Sequence, residues 1–491
     1  MSSDPASPRH IHFIGIAGAG MSATALMMRD AGHVIGGSDE EAFPPISTYL
    51  ETLGIPFRRT LAAENIGPEI DLVVLGGSAK LHGEANPEYA EARRRELPMT
   101  GFPQLIAEQT KDRDVTLVAG SFGKSSCTAL LAHVLREAGK DPGYMIGAIP
   151  AGGGPTGAWG TGPMILEGDE YIVSQTDRRS KFMLYDVDHL LLTSLVHDHL
   201  NVFPTYPEYE APFRALLARI EPRATVVLRD SPALRAIAEG CAADPVWYGT
   251  APGEGWYCQD VTFGETSTFT LVAPDGATLD LQTQLLGAHN IENIVGVAAF
   301  LLTRRLVTEE ELRSAVASFQ GIRRRLDRLT TTSRVPVIEG FGSSYEKARS
   351  AIEAMLLHYP HRPLTVVFEP HTFSWRNRAA LPWYDTAFQG AAKVLVIPPP
   401  AHGAASHEQA THAEIVERLI AAGVPAEGVA SADDVMLALE DLTGREIVLL
   451  LSSGPLLGLP DSLPPILDER FDPVRPRPLR VVDDVAMTAS L

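Results

Sequence analysis

Residues Val115–Ser126 read VTLVAGSFGKSS and join an apolar strand to a glycine loop and the start of a helix. Apolar residues then recur at helical spacing and form one stripe that can pack on a sheet. The stripe consists of Cys127, Leu130, Leu131, Val134 and Leu135. Gly139 stands where such a helix would end. A strand, a glycine loop and a helix in this order indicate an α/β nucleotide-binding unit.

Lys124 occupies the start of this predicted helix, where the helix dipole disfavours a cation. The β- and γ-phosphates of ATP explain a lysine at this place, and the hydroxyl of Ser125 would then meet Mg²⁺. The usual first glycine of a P-loop is missing at its normal spacing. We therefore expect ATP binding at Gly120–Ser126, in a P-loop of altered form.

An earlier loop, Gly15–Ser22 (GIAGAGMS), lies between a strand candidate and a helix candidate at Met21–Ala31. From Gly18 it fits the pattern G-x-G-x-x-A, and Asp39 follows about 20 residues later, as in dinucleotide-binding units. Glycines let backbone amides approach a pyrophosphate at the positive end of the helix. The pattern does not distinguish an NAD site from a UDP-sugar site, and a structural tight turn is the alternative.

Alternating strand and helix patterns predict an α/β fold of mainly parallel sheets, and the length suggests about three domains. The stretch Ala224–Leu286 is more β-like, and a third α/β series begins near Val335. With boundaries near Gln109 and Leu329, the predicted domains are 1–108, 109–329 and 330–470. Residues 471–491 are interpreted as a mobile tail or a surface strap.

The composition limits the possible partners. The chain has 491 residues, with 41 Lys and Arg against 61 Asp and Glu, for a formal net charge of −20. This acidity disfavours nucleic-acid and membrane binding. Three scattered cysteines, and an N-terminal segment without the apolar core of a signal peptide, favour a cytoplasmic location. We expect a monomer or weak homodimer. Binding of anionic ligands would therefore require local positive charge, from helix N-termini, a metal ion or a few Arg and Lys side chains.

Two acidic segments, Glu167–Glu170 (EGDE) and His197–His199 (HDH), each follow a strand candidate. Oxygen ligands from two strand ends, together with a phosphate, would suit Mg²⁺. A zinc pair at the two histidines and a solvated acidic loop are the alternatives. Arg323–Arg325 form a basic cluster suited to phosphate, unless they are a solvated face of a linker.

These motifs, in this order, resemble the Mur ligases, ATP-dependent enzymes that form amide bonds in bacterial cell-wall precursors. The resemblance extends from about His10 to Pro460. It includes Gly287–Asn293 (GAHNIEN), similar to the family's G-x-H-N-x-x-N, and Gly321–Asp327 (GIRRRLD), similar to its G-x-x-R-R-x-E. It implies a three-domain architecture, with a Rossmann-like N-terminal domain, a central P-loop ATPase domain and a Rossmann-like C-terminal domain.

The resemblance also implies roles for individual residues. Catalytic roles fall to Lys124, His199, Arg324 and Arg325. Magnesium contacts fall to Ser125, Glu167 and His199. ATP contacts fall to Gly120, Ser121, Phe122, Gly123, Lys124, Ser125, Ser126, His289, Asn290, Asn293 and Arg325. UDP-sugar contacts fall to Gly15, Ala17, Gly18, Ala19, Gly20, Met21, Ser22, Ser38, Asp39 and Ser78. Acceptor contacts fall to Ser343, Ser344, Tyr345, His371 and Arg376.

Within the family, Asp177–Phe182 (DRRSKF) is most similar to the branch that recycles cell-wall peptide. That branch joins UDP-N-acetylmuramate to L-alanyl-γ-D-glutamyl-meso-diaminopimelate through an acyl phosphate. Glu339–Tyr345 (EGFGSSY) departs from the family's D-D-[YF]-A-H-x-P. The alternatives are therefore an alanine-adding ligase, a ligase with a changed acceptor, and a non-catalytic nucleotide-sugar sensor. A Rossmann dehydrogenase would leave the P-loop and the arginines unexplained.

Overall fold

The computed structural model describes residues 8–174, 176–199, 202–400 and 408–472. The chain folds into two compact units, with the division between Arg325 and Leu326. The mixed α/β class with parallel sheets is confirmed. The predicted tail, 471–491, lies outside the described residues from position 473 onward.

The first unit begins with a parallel sheet in the order β3-β2-β1-β4-β5. Its central strands are buried, and Gly15 follows β1 with a φ of +84°. Its strands are β1 His10–Ile14, β2 Val34–Ser38, β3 Phe57–Arg58, β4 Leu72–Leu75 and β5 Met99–Gly101. Its helices are α1 Ala19–Asp30, α2 Ile46–Thr52, α3 Pro87–Arg94 and α4 Phe102–Thr110.

A second sheet in the same unit has the order β12-β11-β10-β6-β9-β7-β8 and is parallel except at β8. Its strands are β6 Val115–Ala119, β7 Gly143–Met145, β8 Gly157–Ala158, β9 Met164–Gly168, β10 His189–Leu192, β11 Val226–Arg229 and β12 Val246–Tyr248. The helices among them are α5 Lys124–Glu137, α6 Tyr206–Leu217 and α7 Pro232–Ala238.

The β-like interpretation of Ala224–Leu286 is correct only for its second half. A small antiparallel sheet comprises β13 Tyr257–Thr262, β14 Ser267–Val272 and β15 Thr278–Thr283. The first half continues the strand and helix alternation through β11, α7 and β12. The side chain of Ser231 accepts a hydrogen bond from Leu234 N and Pro232 begins α7, which are ordinary helix-start signals. Helices α8 Ala288–Thr303 and α9 Glu309–Ser318 complete the unit.

One apolar core serves both sheets of the first unit. Buried Phe13, Met27 and Leu105 belong to the same cluster as Leu117 and Leu190. The close packing continues at β8, where a Cβ on Gly157 would lie 2.0 Å from the carbonyl oxygen of Ala23 in α1. The separation of residues 1–108 from 109–329 into two domains remains a prediction.

The second unit has a sheet in the order β16-β17-β21-β18-β19-β20, with parallel pairing from β17 to β20. Its strands are β16 Arg325–Arg328, β17 Val337–Gly340, β18 Leu364–Phe368, β19 Lys393–Val396, β20 Ala426–Gly428 and β21 Ile447–Leu451. Its helices are α10 Tyr345–His358, α11 Phe373–Arg376, α12 Tyr384–Ala387, α13 His412–Ala421, α14 Ala432–Ala438 and α15 Leu459–Arg470. Among the described residues, no helix has the length and apolar character needed to cross a bilayer.

Candidate active site

The loop Gly120–Gly123 joins the carboxyl end of β6 to the amino end of α5. The φ angles are +132° at Gly120 and +85° at Gly123. A Cβ would lie 2.3 Å from Thr193 Oγ1 at the first glycine and 2.7 Å from Asn293 Oδ1 at the second. Both positions therefore require glycine, and the loop closes tightly over the positive end of α5, an arrangement suited to phosphate groups.

Lys124 reaches back over this loop. Its ammonium donates to the carbonyl oxygen of Gly120 and lies 2.9 Å from Glu170 Oε2. Glu170 is 1% exposed, lies 3.3 Å from His199 Nε2 and accepts a hydrogen bond from Tyr209 at 3.4 Å. A buried carboxylate thus neutralises the lysine and orients it at the phosphate side of the loop.

Ser125 and Glu167 meet at the ends of two neighbouring strands, β6 and β9. The Ser125 hydroxyl donates to Glu167 Oε1 at 2.7 Å, and the amide of Gly147 donates to Oε2 at 2.6 Å. Burial raises the pKa of Glu167, although these hydrogen bonds oppose the rise. A hydroxyl and a carboxylate are hard oxygen donors, so this pair fits Mg²⁺ completed by water and phosphate oxygens.

The structure places His199 beside Glu170 rather than in direct contact with Glu167. The hydrogen bond to Glu170 raises the pKa of His199, and burial opposes the rise. His199 has a φ of +54° and packs edge-on against Tyr171. The ring of His197 instead bonds the carbonyl oxygen of Phe203 at 2.8 Å. A zinc pair would have to break these bonds, and the described residues contain no group of three metal-binding side chains.

A second helix start borders the loop. The side-chain Nδ2 of Asn293 in α8 donates to Asn290 Oδ1 at 3.2 Å, and Asn290 Nδ2 donates to the carbonyl oxygen of Leu286 at 2.9 Å. The ring of His289 folds back over Gly287, where a Cβ would lie 2.5 Å from it. The structure therefore brings the GAHNIEN segment to the P-loop, as the sequence predicts.

The arginine run lies at the end of the first unit. Burial lowers the pKa of Arg325, and the negative charge of Glu167 opposes this change, so the guanidinium is within electrostatic range of the metal-side carboxylate. Arg324 has a φ of +63°, a backbone conformation that non-glycine residues adopt rarely and often at functional sites. The phosphate-binding role of both residues remains a prediction.

The first glycine loop is organised by Asp39. Its Oδ2 accepts the amide of Ala17 at 2.9 Å, and its Oδ1 accepts the amide of Glu41 at 2.8 Å. Gly18 precedes α1, and a Cβ on Gly20 would lie 2.8 Å from the ring of Phe102. The loop thus brings its backbone to the amino end of α1, with Ala19 as the first helical residue.

Several side chains predicted to contact the UDP-sugar are buried. Met21, Ser22 and Ser38 are 3%, 1% and 0% exposed, and the Ser38 hydroxyl donates to Glu88 Oε2 at 2.5 Å. Contacts from these three residues would therefore come from their backbone. Ser78 is exposed after β4 and keeps an accessible side chain.

Four residues near the P-loop have structural importance that the sequence analysis did not assign. Glu170 pairs with Lys124, and the hydroxyl of Tyr209 donates to Ser121 Oγ. Asp169 lies 2.6 Å from Lys181 Nζ. Burial by itself raises the pKa of Asp169, but the Lys181 charge holds it below its usual value. The EGDE and DRRSKF segments carried the signal, because the first is acidic and the second is mainly basic.

In the second unit, the acceptor residues divide into two groups. Ser343 and Ser344 lie at the start of α10, where Ser344 caps the helix by accepting the amide of Lys347. Tyr345 bonds Thr386 at 3.0 Å. Arg376 is 4% exposed and donates to the carbonyl oxygen of Pro400 at 3.2 Å, and its contact with the acceptor remains a prediction.

The fold and the site define a P-loop α/β protein built to bind nucleotide phosphates. Two family models match: the Mur ligase family catalytic domain over residues 10–113 and the Mur ligase middle domain over residues 118–301. The chain belongs to the Mur ligase family and is an ATP-dependent ligase.

Relatives of both types predicted from the sequence are similar to this chain. The UDP-N-acetylmuramate–L-alanine ligase of Roseiflexus sp. (strain RS-1) is 31% identical over 412 residues, covering 79% of this chain and 84% of the relative. The UDP-N-acetylmuramate–L-alanyl-γ-D-glutamyl-meso-2,6-diaminoheptandioate ligase of Haemophilus influenzae is 28% identical over 353 residues, covering 71% and 76%.

Solved structures show the same fold. The UDP-N-acetylmuramate–alanine ligase of Thermotoga maritima has a TM-score of 0.76 at 22% identity, covering 94% of this chain and 99% of the other. The murein peptide ligase of Psychrobacter arcticus has a TM-score of 0.66 at 23% identity, covering 94% and 98%.

Proposed function

We propose that this ligase joins UDP-N-acetylmuramate to L-alanyl-γ-D-glutamyl-meso-diaminopimelate in peptidoglycan recycling. The proposal for ligation depends above all on the adjoining pairs Lys124–Glu170 and Ser125–Glu167 at the P-loop. The peptide acceptor is supported by the DRRSKF segment, whose Lys181 pairs with Asp169 beside these residues. The Roseiflexus relative favours L-alanine as the second candidate acceptor.

In the proposed reaction, a lactyl carboxylate oxygen of UDP-N-acetylmuramate attacks the γ-phosphorus of ATP, and ADP leaves. The acceptor amine then attacks the acyl carbon, loses a proton, and expels inorganic phosphate. Lys124 and Arg325 stabilise the charge on the transferring phosphoryl group. Mg²⁺, when held by Ser125 and Glu167, supplies further positive charge to the phosphate oxygens.

His199 and Glu170 have a supporting role in this scheme. Glu170 holds the Lys124 ammonium at the loop, and His199 shares that carboxylate at 3.3 Å. The glycine loop at Gly15–Ser22 binds the UDP-sugar through its backbone amides, with Asp39 fixing its shape. The second unit binds the acceptor.

The test is phosphate release with ATP and UDP-N-acetylmuramate, measured separately with the tripeptide and with L-alanine. The proposal expects release with the tripeptide, while release with L-alanine alone would establish the second candidate. Release with neither, together with retained binding of UDP-N-acetylmuramate, would indicate a non-catalytic sensor.

Lys124→Met is the matching variant for this assay. Loss of a group that stabilises transition-state charge lowers turnover about 100-fold or more. Lys140→Met, a lysine outside the loop, serves as the control. A Lys124→Met enzyme with unchanged turnover would contradict the P-loop assignment.

A further inference from the structure

Lys181 lies beside the carboxylates that follow β9. Its ammonium is 2.6 Å from Asp169 Oδ2, and its backbone amide donates to the carbonyl oxygen of Tyr171 at 3.0 Å. Asp169 stands two residues beyond Glu167, the carboxylate that fits Mg²⁺. The lysine side chain therefore ends close to the metal side of the P-loop.

The same side chain also lies close to the first glycine loop. The Lys181 ammonium is 5.8 Å from the ring centre of Phe102, the first residue of α4. That ring fills the space beside Gly20, where a Cβ would lie 2.8 Å from it. Gly20 is in the first turn of α1, the helix start at which we expect the pyrophosphate. Lys181 thus lies between the UDP-sugar loop and the metal side of the P-loop.

Tyr171 connects Lys181 to the other charged groups of the site. Its ring centre is 5.3 Å from the Lys181 ammonium and 5.2 Å from the ring centre of His199. His199 in turn shares Glu170 with Lys124. Two lysines therefore pair with carboxylates of the EGDE segment, and they bring positive charge to the phosphoryl-transfer site from two places.

The Lys181 ammonium has donors that the fold does not use. An ammonium has three N–H donors. Among the described residues, Asp169 is the hydrogen-bond acceptor of Lys181 Nζ. The rings of Phe102 and Tyr171 attract the cation by its charge and take none of its strong hydrogen bonds. The Lys181 side chain is 12% exposed and that of Asp169 is 43% exposed, so the pair reaches the surface, where a ligand can meet the remaining donors.

The first substrate of the proposed reaction needs a cation at this position. Its lactyl carboxylate must reach the γ-phosphate of ATP while its pyrophosphate lies at the start of α1. The carboxylate is therefore held between the first glycine loop and the P-loop. Glu167, Asp169 and Glu170 would repel another carboxylate there. Lys181 is placed to offset this repulsion.

We propose that Lys181 binds the lactyl carboxylate of the UDP-sugar and so selects a sugar nucleotide that carries a carboxylate. Asp169 holds the ammonium in place, and the substrate carboxylate accepts hydrogen bonds from the donors that Asp169 leaves. The inference rests on the proposed function, because it concerns the first substrate of that reaction. It assigns the residue that distinguishes UDP-N-acetylmuramate from UDP-N-acetylglucosamine, which has the same nucleotide and sugar ring but no lactyl group.

Calorimetric binding of three nucleotides to the full chain tests this assignment. The nucleotides are UDP-N-acetylmuramate, UDP-N-acetylglucosamine and UDP, of which the first alone carries a carboxylate. We expect Lys181→Met to weaken binding of UDP-N-acetylmuramate about tenfold or more, because a charged hydrogen bond is lost, and to leave binding of the other two unchanged. Lys181→Arg, which keeps the charge, should retain most of the affinity.

Two outcomes would overturn the proposal. An equal loss of affinity for all three nucleotides in Lys181→Met would indicate a pyrophosphate contact instead. Unchanged affinity for UDP-N-acetylmuramate would show that Lys181 does not bind the substrate. Lys111→Met is the matched control, since Lys111 is an exposed lysine just beyond the other end of α4, and it should bind all three nucleotides as the wild type does.

A second variant separates substrate binding from a purely structural ion pair. Asp169→Asn combined with Lys181→Met removes both charges, so that no carboxylate is left without its partner. We expect this double variant to keep a Tm close to that of the wild type and to show the same selective loss. A return of its affinity for UDP-N-acetylmuramate to the wild-type value would mean that the ammonium serves only to neutralise Asp169, and the proposal would be wrong.

Hydroxamate formation keeps this test distinct from that of the ligase reaction. Hydroxylamine attacks the acyl phosphate, forming a hydroxamate and releasing phosphate, and it takes the place of the amine acceptor. A wild-type enzyme that binds UDP-N-acetylmuramate but forms no hydroxamate from it and ATP would refute the proposed function. Hydroxamate formation by the wild type, together with an unselective loss of binding in Lys181→Met, would refute only the role of Lys181.

Discussion

Glu88 is the carboxylate whose removal should disturb the first sheet most. Its side chain is fully buried, 3.2 Å from His12 Nε2, and accepts hydrogen bonds from Ser38 Oγ and Asn65 Nδ2, both at 2.5 Å. Glu88→Ala would leave these groups without an acceptor. Each buried donor without a partner costs about 1–3 kcal/mol, and Glu88 serves three such groups. We therefore expect a loss of about 4 kcal/mol in the free energy of unfolding.

The effect should depend on pH. Burial alone raises the pKa of Glu88, but hydrogen bonds from His12, Ser38 and Asn65 hold it below its ordinary value. A carboxyl with a lowered folded-state pKa stabilises the fold above its unfolded pKa, roughly 4.3. That contribution disappears as the pH falls through the folded-state value, so wild type and Glu88→Gln should converge in stability only once the pH lies below that lowered pKa.

The assay is urea unfolding at pH 7, with amide hydrogen exchange to locate the change in β1 and β2. Glu91→Gln is the control, because Glu91 lies on the same helix in a solvent-exposed pair with Arg94. Since Ser38 precedes Asp39, which holds the amide of Ala17, KM for the UDP-sugar should rise in Glu88→Ala. A Glu88→Ala protein no less stable than Glu91→Gln would refute the reasoning.

Three further predictions concern the second sheet. Gly120→Ala should abolish ATP binding in calorimetry, because at a φ of +132° an added Cβ would lie 2.3 Å from Thr193 Oγ1, and retained affinity would contradict the loop geometry. Glu170→Gln should lower the pKa of His199 in an NMR titration, because Glu170 raises it, and an unshifted titration would exclude that pairing. The hydrogen bond to His189 lowers the pKa of Asp114 to about 2, although Asp114 is 45% exposed. Asp114→Asn should therefore cost only about 1 kcal/mol at pH 7, and thermal unfolding should show that difference vanish between pH 4 and pH 2.

Local patterns predicted the two glycine loops well, because the chemistry of each loop lies within about ten consecutive residues. Gly123, Lys124 and Ser125 lie where the P-loop pattern places them, and α5 begins at Lys124. The family resemblance implied that Ser125 and Glu167 share a site, and they meet because the parallel strands β6 and β9 end at the same edge.

Other features depend on contacts between distant residues and could not be predicted from local patterns. The burial of Arg376 depends on the carbonyl oxygen of Pro400, 24 residues away. Glu170 acts through Lys124 and His199, which come from two other strand ends. The strand order also depends on distant contacts. In the second sheet β6 lies between β10 and β9, and side-chain packing determines this order.

The core that the two sheets of the first unit share has a consequence for how the protein can be divided. A fragment ending near residue 110 would expose the apolar face of α1, including Met27, that now packs with residues of the second sheet. Exchanging this segment with that of a relative would succeed only if the facing surface of β7 and β8 were exchanged with it. The two segments that separate family models match therefore share one core and are expected to fold together.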